Sequence, residues 1–184
     1  MNRFTLLLAG AMTLTLLGAA ACSTYKGTAG EDSNGILERD ADATVRMFRR
    51  TDSSLERFFN SSAGYAVFPK VTKGAAGIGA AHGYGVVYQG ASVIGYTELT
   101  QATIGVQLGG QTYSELIFFQ DAYNLDRFKR GEMQFSAQAS AVAAAQGKAA
   151  NADYAEGVAI FTMGESGLMF EASVGGQKFS YRDK

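Results

Sequence analysis

Ile104–Phe119 reads IGVQLGGQTYSELIFF. Apolar and polar residues alternate, a Gly-Gly-Gln interrupts, and an apolar run follows. Ile104, Val106 and Leu108 share one face, and Thr103, Gly105 and Gln107 the other, which is the period of a β-strand. Gly109–Gly110 matches the two-residue hairpin turns that need positive φ. Leu116-Ile117-Phe118-Phe119 has no alternation, so both faces of that strand are expected to be buried. A shorter version returns as Phe170–Tyr181, FEASVGGQKFSY. Gly175, Gly176, Gln177, Phe179 and Ser180 repeat the pattern of Gly109, Gly110, Gln111, Tyr113 and Ser114. The two units predict a β-rich domain with some internal symmetry.

Working outward, Ile36–Asn60 is the best helical stretch. Leu37, Ala41, Val45 and Phe48 make one apolar stripe, and Thr51 or Asp52 restarts the helix as an N-cap. Tyr65–Pro69 reads as a short strand ended by the only Pro. Ala80–Tyr88 and Ala91–Glu98 follow as strands joined at Gln89-Gly90. Asp121–Lys129 is a helix with Asp121 as N-cap and Gly131 as its stop. Met133–Ala145 begins like a strand and continues Ala-rich, and Gln146–Tyr154 is a polar loop. Gly157–Thr162, Leu168–Val174 and Lys178–Tyr181 are short strands with turns at Gly164–Gly167 and Gly175–Gly176. The expected fold is α+β: an antiparallel, Gly-rich sheet, sandwich- or barrel-like, with N-terminal helices and one central helix packed on it.

Composition limits the functions available. The chain has 184 residues, a single-domain length, and 16 basic against 17 acidic residues. That balance argues against nucleic acid as a partner, which calls for a basic excess. With 23 Gly and one Pro, the chain fits a sheet rich in bends and bulges rather than a linker. One Cys and one His cannot supply a disulfide or a four-ligand N/S metal site.

Met1–Ala21 has a basic start, a short apolar core and a small-residue end, the pattern of a secretory signal peptide. The only Cys follows. Ala19-Ala20-Ala21-Cys22 resembles the bacterial lipobox, with Ala19 where Leu is usual. The resemblance implies cleavage before Cys22, lipid attachment to its sulfur and acylation of its new amino group. Ser23 in place of Asp favours the outer membrane. Ser23–Gly35 reads as a flexible tether, so the organisation expected is signal peptide 1–21, lipidated Cys and tether 22–35, and domain 36–184.

Catalytic chemistry finds little support. Gly74-Ala-Ala-Gly77-Ile-Gly79 departs from a dinucleotide loop at His82, and Gly85-x4-Gly90-Ala91-Ser92 lacks the Lys of a phosphate loop. His82 has no acid beside it in sequence. Glu98, Glu115 and Glu171 read as solvent-facing members of alternating strands. No catalytic residue, metal site or cofactor is expected. Arg46, Arg49, Arg50 and Arg57 give the first helix a basic side, partly balanced by acids. Lys70 and Lys73 flank a strand end.

Four motifs then carry a family resemblance: Ala63-Gly64-Tyr65-Ala66-Val67-Phe68-Pro69, Gly83-Tyr84-Gly85-Val86-Val87-Tyr88, Gly105-Val106-Gln107-Leu108-Gly109-Gly110-Gln111, and Gly167-Leu168-Met169-Phe170-Glu171-Ala172-Ser173 with Gly175-Gly176-Gln177. In this order they resemble the SYLF domain family across about Leu37–Tyr181. The resemblance implies a lipid-binding domain. Eukaryotic members bind phosphoinositides and some act in actin assembly, whereas bacterial members are often secreted or lipid-anchored. The expectation is therefore a non-enzymatic envelope lipoprotein, anchored through Cys22 and facing the periplasm. Its domain binds membrane phospholipids, with Arg46, Arg49, Arg50, Lys70 and Lys73 as head-group contacts. The alternative is a structural lipoprotein of the periplasm that docks an envelope protein.

Overall fold

The computed structural model describes residues 31–133, 149–164, 167–170 and 176–184. Helix α1, Glu31–Thr51, begins five residues before the expected Ile36 and takes in the end of the tether. It buries Ala41, Thr44 and Phe48. Asp52 ends it in an extended conformation (φ −145°), and its carboxylate accepts from the Ser54 amide at 2.9 Å. The cap opens a 3₁₀ turn, Ser53–Leu55, that runs into α2, Glu56–Ser61. Leu55 and Phe58 point into the core.

Two long strands follow, β1 (Gly64–Gln89) and β2 (Ser92–Phe119). They pair antiparallel from Gly64↔Phe119 to Gln89↔Ser92, around a turn with Gly90 at φ +59°. Next come α3 (Ala122–Lys129), a 3₁₀ turn (Ala149–Asn151), β3 (Val158–Gly164), β4 (Gly167–Phe170) and β5 (Gln177–Asp183). β3 lies on the second half of β2, with β4 outside it, and β5 lies on the first half of β2. All pairings among the described strands are antiparallel, and the class is α+β.

Several short-strand expectations fail here. Pro69 does not end a strand: the register shifts between Phe68 and Val71, and β1 continues. A bulge suits a residue with no N–H to donate, and the Ser114 hydroxyl donates to the Pro69 carbonyl at 2.7 Å. Gly109–Gly110 is not a turn either, since the pair lies within β2 opposite Ala75 and Gly74. Gly176, by contrast, stands in a turn at φ +81° before β5. The two Gly-Gly-Gln units thus occupy unlike positions. Gln111 is exposed in mid-strand, whereas Gln177 is fully buried at a strand start. The polar loop expected at Gln146–Tyr154 contains the 3₁₀ turn and buries Ala149 and Ala152. Residues 134–148, 165–166 and 171–175, and with them most of the ambiguous Met133–Ala145, lie outside the described residues.

The sheet is covered on both faces. On one, Phe48, Leu55 and Phe58 meet Tyr65, Val67, Leu116, Phe118 and Phe161. On the other, Leu125 and Phe128 of α3 meet Phe68, Ile117, Phe119, Ile160 and Phe179. Leu116 to Phe119 are all fully buried, as their lack of alternation predicts. α3 keeps its expected signals: Asp121 accepts from the Asn124 amide at 2.9 Å, and Gly131 takes φ +69°. Asp121 also accepts from the Asn124 side chain at 2.9 Å. Replacing Asp121 by Ala is expected to cost about 1–2 kcal/mol, read as a lower urea midpoint at unchanged slope, with Asn retaining most of the stability.

Candidate functional site

α1 has two polar populations, which its packing separates. Its apolar stripe faces the sheet. Two of its acids turn the same way: Tyr96 donates to Glu38 at 2.5 Å, and Tyr88 donates to Asp42 at 2.9 Å. Lys184 adds an ion pair to Glu38 at 2.9 Å. These partners hold the Glu38 carboxyl below its ordinary value, the Tyr96 hydroxyl first and Lys184 second. Burial, then the bond to Glu38, pushes the Tyr96 phenol up to about 12.

The opposite side of α1 is what remains for solvent. Ile36, Arg39, Ala43, Arg46, Met47 and Arg50 fall there at helical spacing, and all are exposed. Ile36 and Met47, about three turns apart, are 39 % and 43 % exposed and rank among the few large apolar side chains so exposed in the described residues. Among the acids whose side chains are described, Asp40 flanks this stripe. The stripe therefore combines three guanidinium groups with apolar side chains, the composition of a helix face that lies in a lipid–water interface. Long Arg stems can lie along apolar surface while their heads stay in the polar layer.

The structure distributes the five sequence-predicted contacts unevenly. Arg46 and Arg50 lie on the outer stripe. Arg49 sits to its side, paired with Glu56 at 3.2 Å and stacked 4.0 Å over the Phe59 ring. Lys70 and Lys73 are on β1, near and beyond the Pro69 bulge, with Lys73 opposite Gln111. From Tyr65, the part of β1 beside α1, Lys70 is five residues further, roughly 16 Å of strand. Arg57 is committed elsewhere: it donates to the Ala149 carbonyl at 3.1 Å and to the Ala152 carbonyl, and stacks on Phe58. Arg39, absent from the predicted set, belongs with Arg46 and Arg50. Cys22, the residue expected to carry the lipid, lies outside the described residues.

Other candidate chemistry also changes. His82 does have an acid beside it, with Nε2 2.8 Å from Glu98 Oε1. The pairing puts His82 opposite Thr100, two residues along β2 from Glu98 and on the same face; counting outward from the Gln89–Ser92 turn would set it opposite Leu99, and the register shift between Val87 and Tyr88 hid the contact from the sequence. Ser180 is the partner of Glu98 on the other side. The carboxylate thus lies between the hydroxyl and the imidazole, whereas a Ser–His–acid relay needs the imidazole in the middle. The Gly-rich stretch 74–79 lies within β1, with no helix following it as a phosphate loop would require.

Glu115 overturns its solvent-facing assignment, because it is fully buried and accepts from the Gln177 side chain at 3.0 Å. It faces the α3 side of the sheet, opposite to Glu98, so the two cannot flank one substrate. A buried carboxyl requires hydrogen-bond donors. Replacing Gln177 by Leu removes one and is expected to cost about 2 kcal/mol, measured by urea denaturation.

No three-residue metal-ligand cluster occurs among the described residues. No described helix is long and apolar enough to cross a membrane.

Comparison with known proteins places this architecture. Residues 100–184 match the family described as "Ysc84: Las17-binding protein actin regulator", the SYLF family that the motifs resemble. It is also 28 % identical over 138 residues to "Beta cell expansion factor A" of Aeromonas veronii, covering 74 % of this chain and 52 % of that protein. The chain thus spans about half the length of this curated relative. The family match begins within β2, so the reading of α1 rests on its own geometry.

Proposed function

We propose that this protein is a lipid-anchored protein of the bacterial envelope, at the outer membrane facing the periplasm, whose domain binds anionic phospholipid surfaces without catalysis. The observation that carries the reading is the outer stripe of α1, where Arg39, Arg46 and Arg50 accompany exposed Ile36 and Met47. The family match over residues 100–184 supports a lipid-binding or protein-interaction domain. An acylated Cys22 would stand nine residues before Glu31. α1, 21 residues long and roughly 30 Å from end to end, would then lie flat on the bilayer.

Vesicle co-sedimentation of the mature chain from Ser23 onward, without the anchor, tests this. Binding to phosphatidylglycerol vesicles is expected at low salt, falling as salt rises, with weaker binding to pure phosphatidylcholine. Absence of binding to both would overturn the reading and give the domain a protein-docking role.

A further inference from the structure

We propose that α1 is a releasable strap: it is hinged at Asp52 and latched to the sheet by Glu38–Tyr96 and Asp42–Tyr88, and protonation of the Glu38 carboxylate loosens it. This rests on the membrane-contact reading above and names its regulation. Three features separate α1 from the elements around it.

The first is the hinge. Asp52 breaks the helix, and everything after it is fastened. Its second carboxylate oxygen accepts from the Ala149 amide at 2.9 Å, and Arg57 holds the Ala149 and Ala152 carbonyls. Leu55 and Phe58 are buried there. A swing of α1 would therefore leave α2 and the 149–152 turn in place.

The second is sparse burial. Of the described side chains in this 21-residue helix, only Ala41, Thr44 and Phe48 are buried. Elements with few buried apolar contacts are the first to open locally.

The third is the latch itself. Its bonds run from phenols to carboxylates one turn apart, and a carboxylate accepts more strongly than a carboxylic acid. The groups facing Glu38 are Tyr96 of β2 and Lys184 after β5, with Arg182 stacked 5.0 Å from the Tyr96 ring. Those facing Asp42 are Tyr88 and, stacked 5.0 Å from it, Tyr65 of β1. Arg49, which acts on Tyr65, is itself paired with Glu56.

The sign follows from Glu38. Its carboxyl is held below the ordinary 4.5 in the docked state, so docking is favoured above that value and the contribution is lost as pH falls through the depressed one. Anionic leaflets carry a negative surface potential that concentrates protons, so the surface the arginines read also favours release. A freed α1 would present Leu37, Ala41, Val45 and Phe48 to acyl chains. It would also uncover Val86 together with Tyr65, Tyr88 and Tyr96, whose phenols suit a bilayer interface.

Hydrogen exchange of the full chain without lipid tests the strap, with α3 as internal reference. Protection of α1, corrected for intrinsic pH dependence, is expected to fall severalfold relative to α3 between neutral pH and ~pH 3.5. Glu38→Gln with Asp42→Asn should produce the same selective loss at neutral pH. Tyr88→Phe with Tyr96→Phe, which removes the donors instead, should do likewise if the first pair folds poorly. Protection of α1 that tracks α3 under every condition, whether both hold or both fall, overturns the strap. Because no lipid is present, this outcome is independent of vesicle binding, which alone decides the membrane reading.

Discussion

Replacing Gly85 by Val is expected to abolish cooperative folding or lower stability by at least about 3 kcal/mol. A Cβ at this position would lie 2.7 Å from the Val67 carbonyl oxygen and 2.7 Å from Cδ1 of Phe68. Neither neighbour can give way. The carbonyl belongs to a strand held in register with β2, and Phe68 is fully buried against Phe179. Similar approaches occur at Gly83, to the Lys70 carbonyl, and at Gly64, to that of Tyr88. The two halves of β1 therefore run back against each other, and the absence of side chains permits it. Gly74, in the same strand, has nothing within 4 Å of its Cβ position. Gly74→Ala is thus expected to change stability by no more than about 0.5 kcal/mol. Urea denaturation of the two variants checks the contrast, and a Gly85→Val protein that melts like the parent would remove this account of the glycines.

That close approach also explains what could be read in the sequence. Signals acting over a few residues were legible: the Asp52 break, the Asp121 cap, Gly131 as a stop and the turn at Gly90 all stand where expected. Leu116–Phe119 was legible because an apolar run without alternation can only be buried on both sides. Strand length was not. Pro69 and Gly109–Gly110 are strong local breakers, yet pairing along two strands of 26 and 28 residues absorbs them. Burial of Glu115 was hidden for a related reason, since Gln177, its donor, comes 62 residues later. The basic side of α1 was half visible. Arg46 and Arg50 belong to the exposed stripe, whereas Arg57 is held by carbonyls 92 and 95 residues away. The acids that weaken a lipid-facing helix when counted by composition prove, for Glu38 and Asp42, to point inward at tyrosines.

Reversing Arg39, Arg46 and Arg50 together to Glu is expected to reduce partitioning onto anionic vesicles at least about 100-fold at low salt. Each basic residue near such a surface contributes ~1 kcal/mol, and reversal adds repulsion to that loss. The difference should shrink at high salt, where exposed charges are screened. None of the three has a partner within the core, so thermal stability should change little. Replacing Ile36 and Met47 by Ser should instead lower the salt-resistant part of binding, because it removes apolar area rather than charge. Arg49→Gln offers the opposite test. Its guanidinium is occupied by Glu56 and Phe59, so the cost should fall on stability more than on partitioning. Reversal of Lys70 and Lys73 should weaken binding less than the arginine triple, given their distance along β1 from α1. Equal losses from the lysine pair, with the arginine triple inert, would move the contact surface from α1 to the sheet.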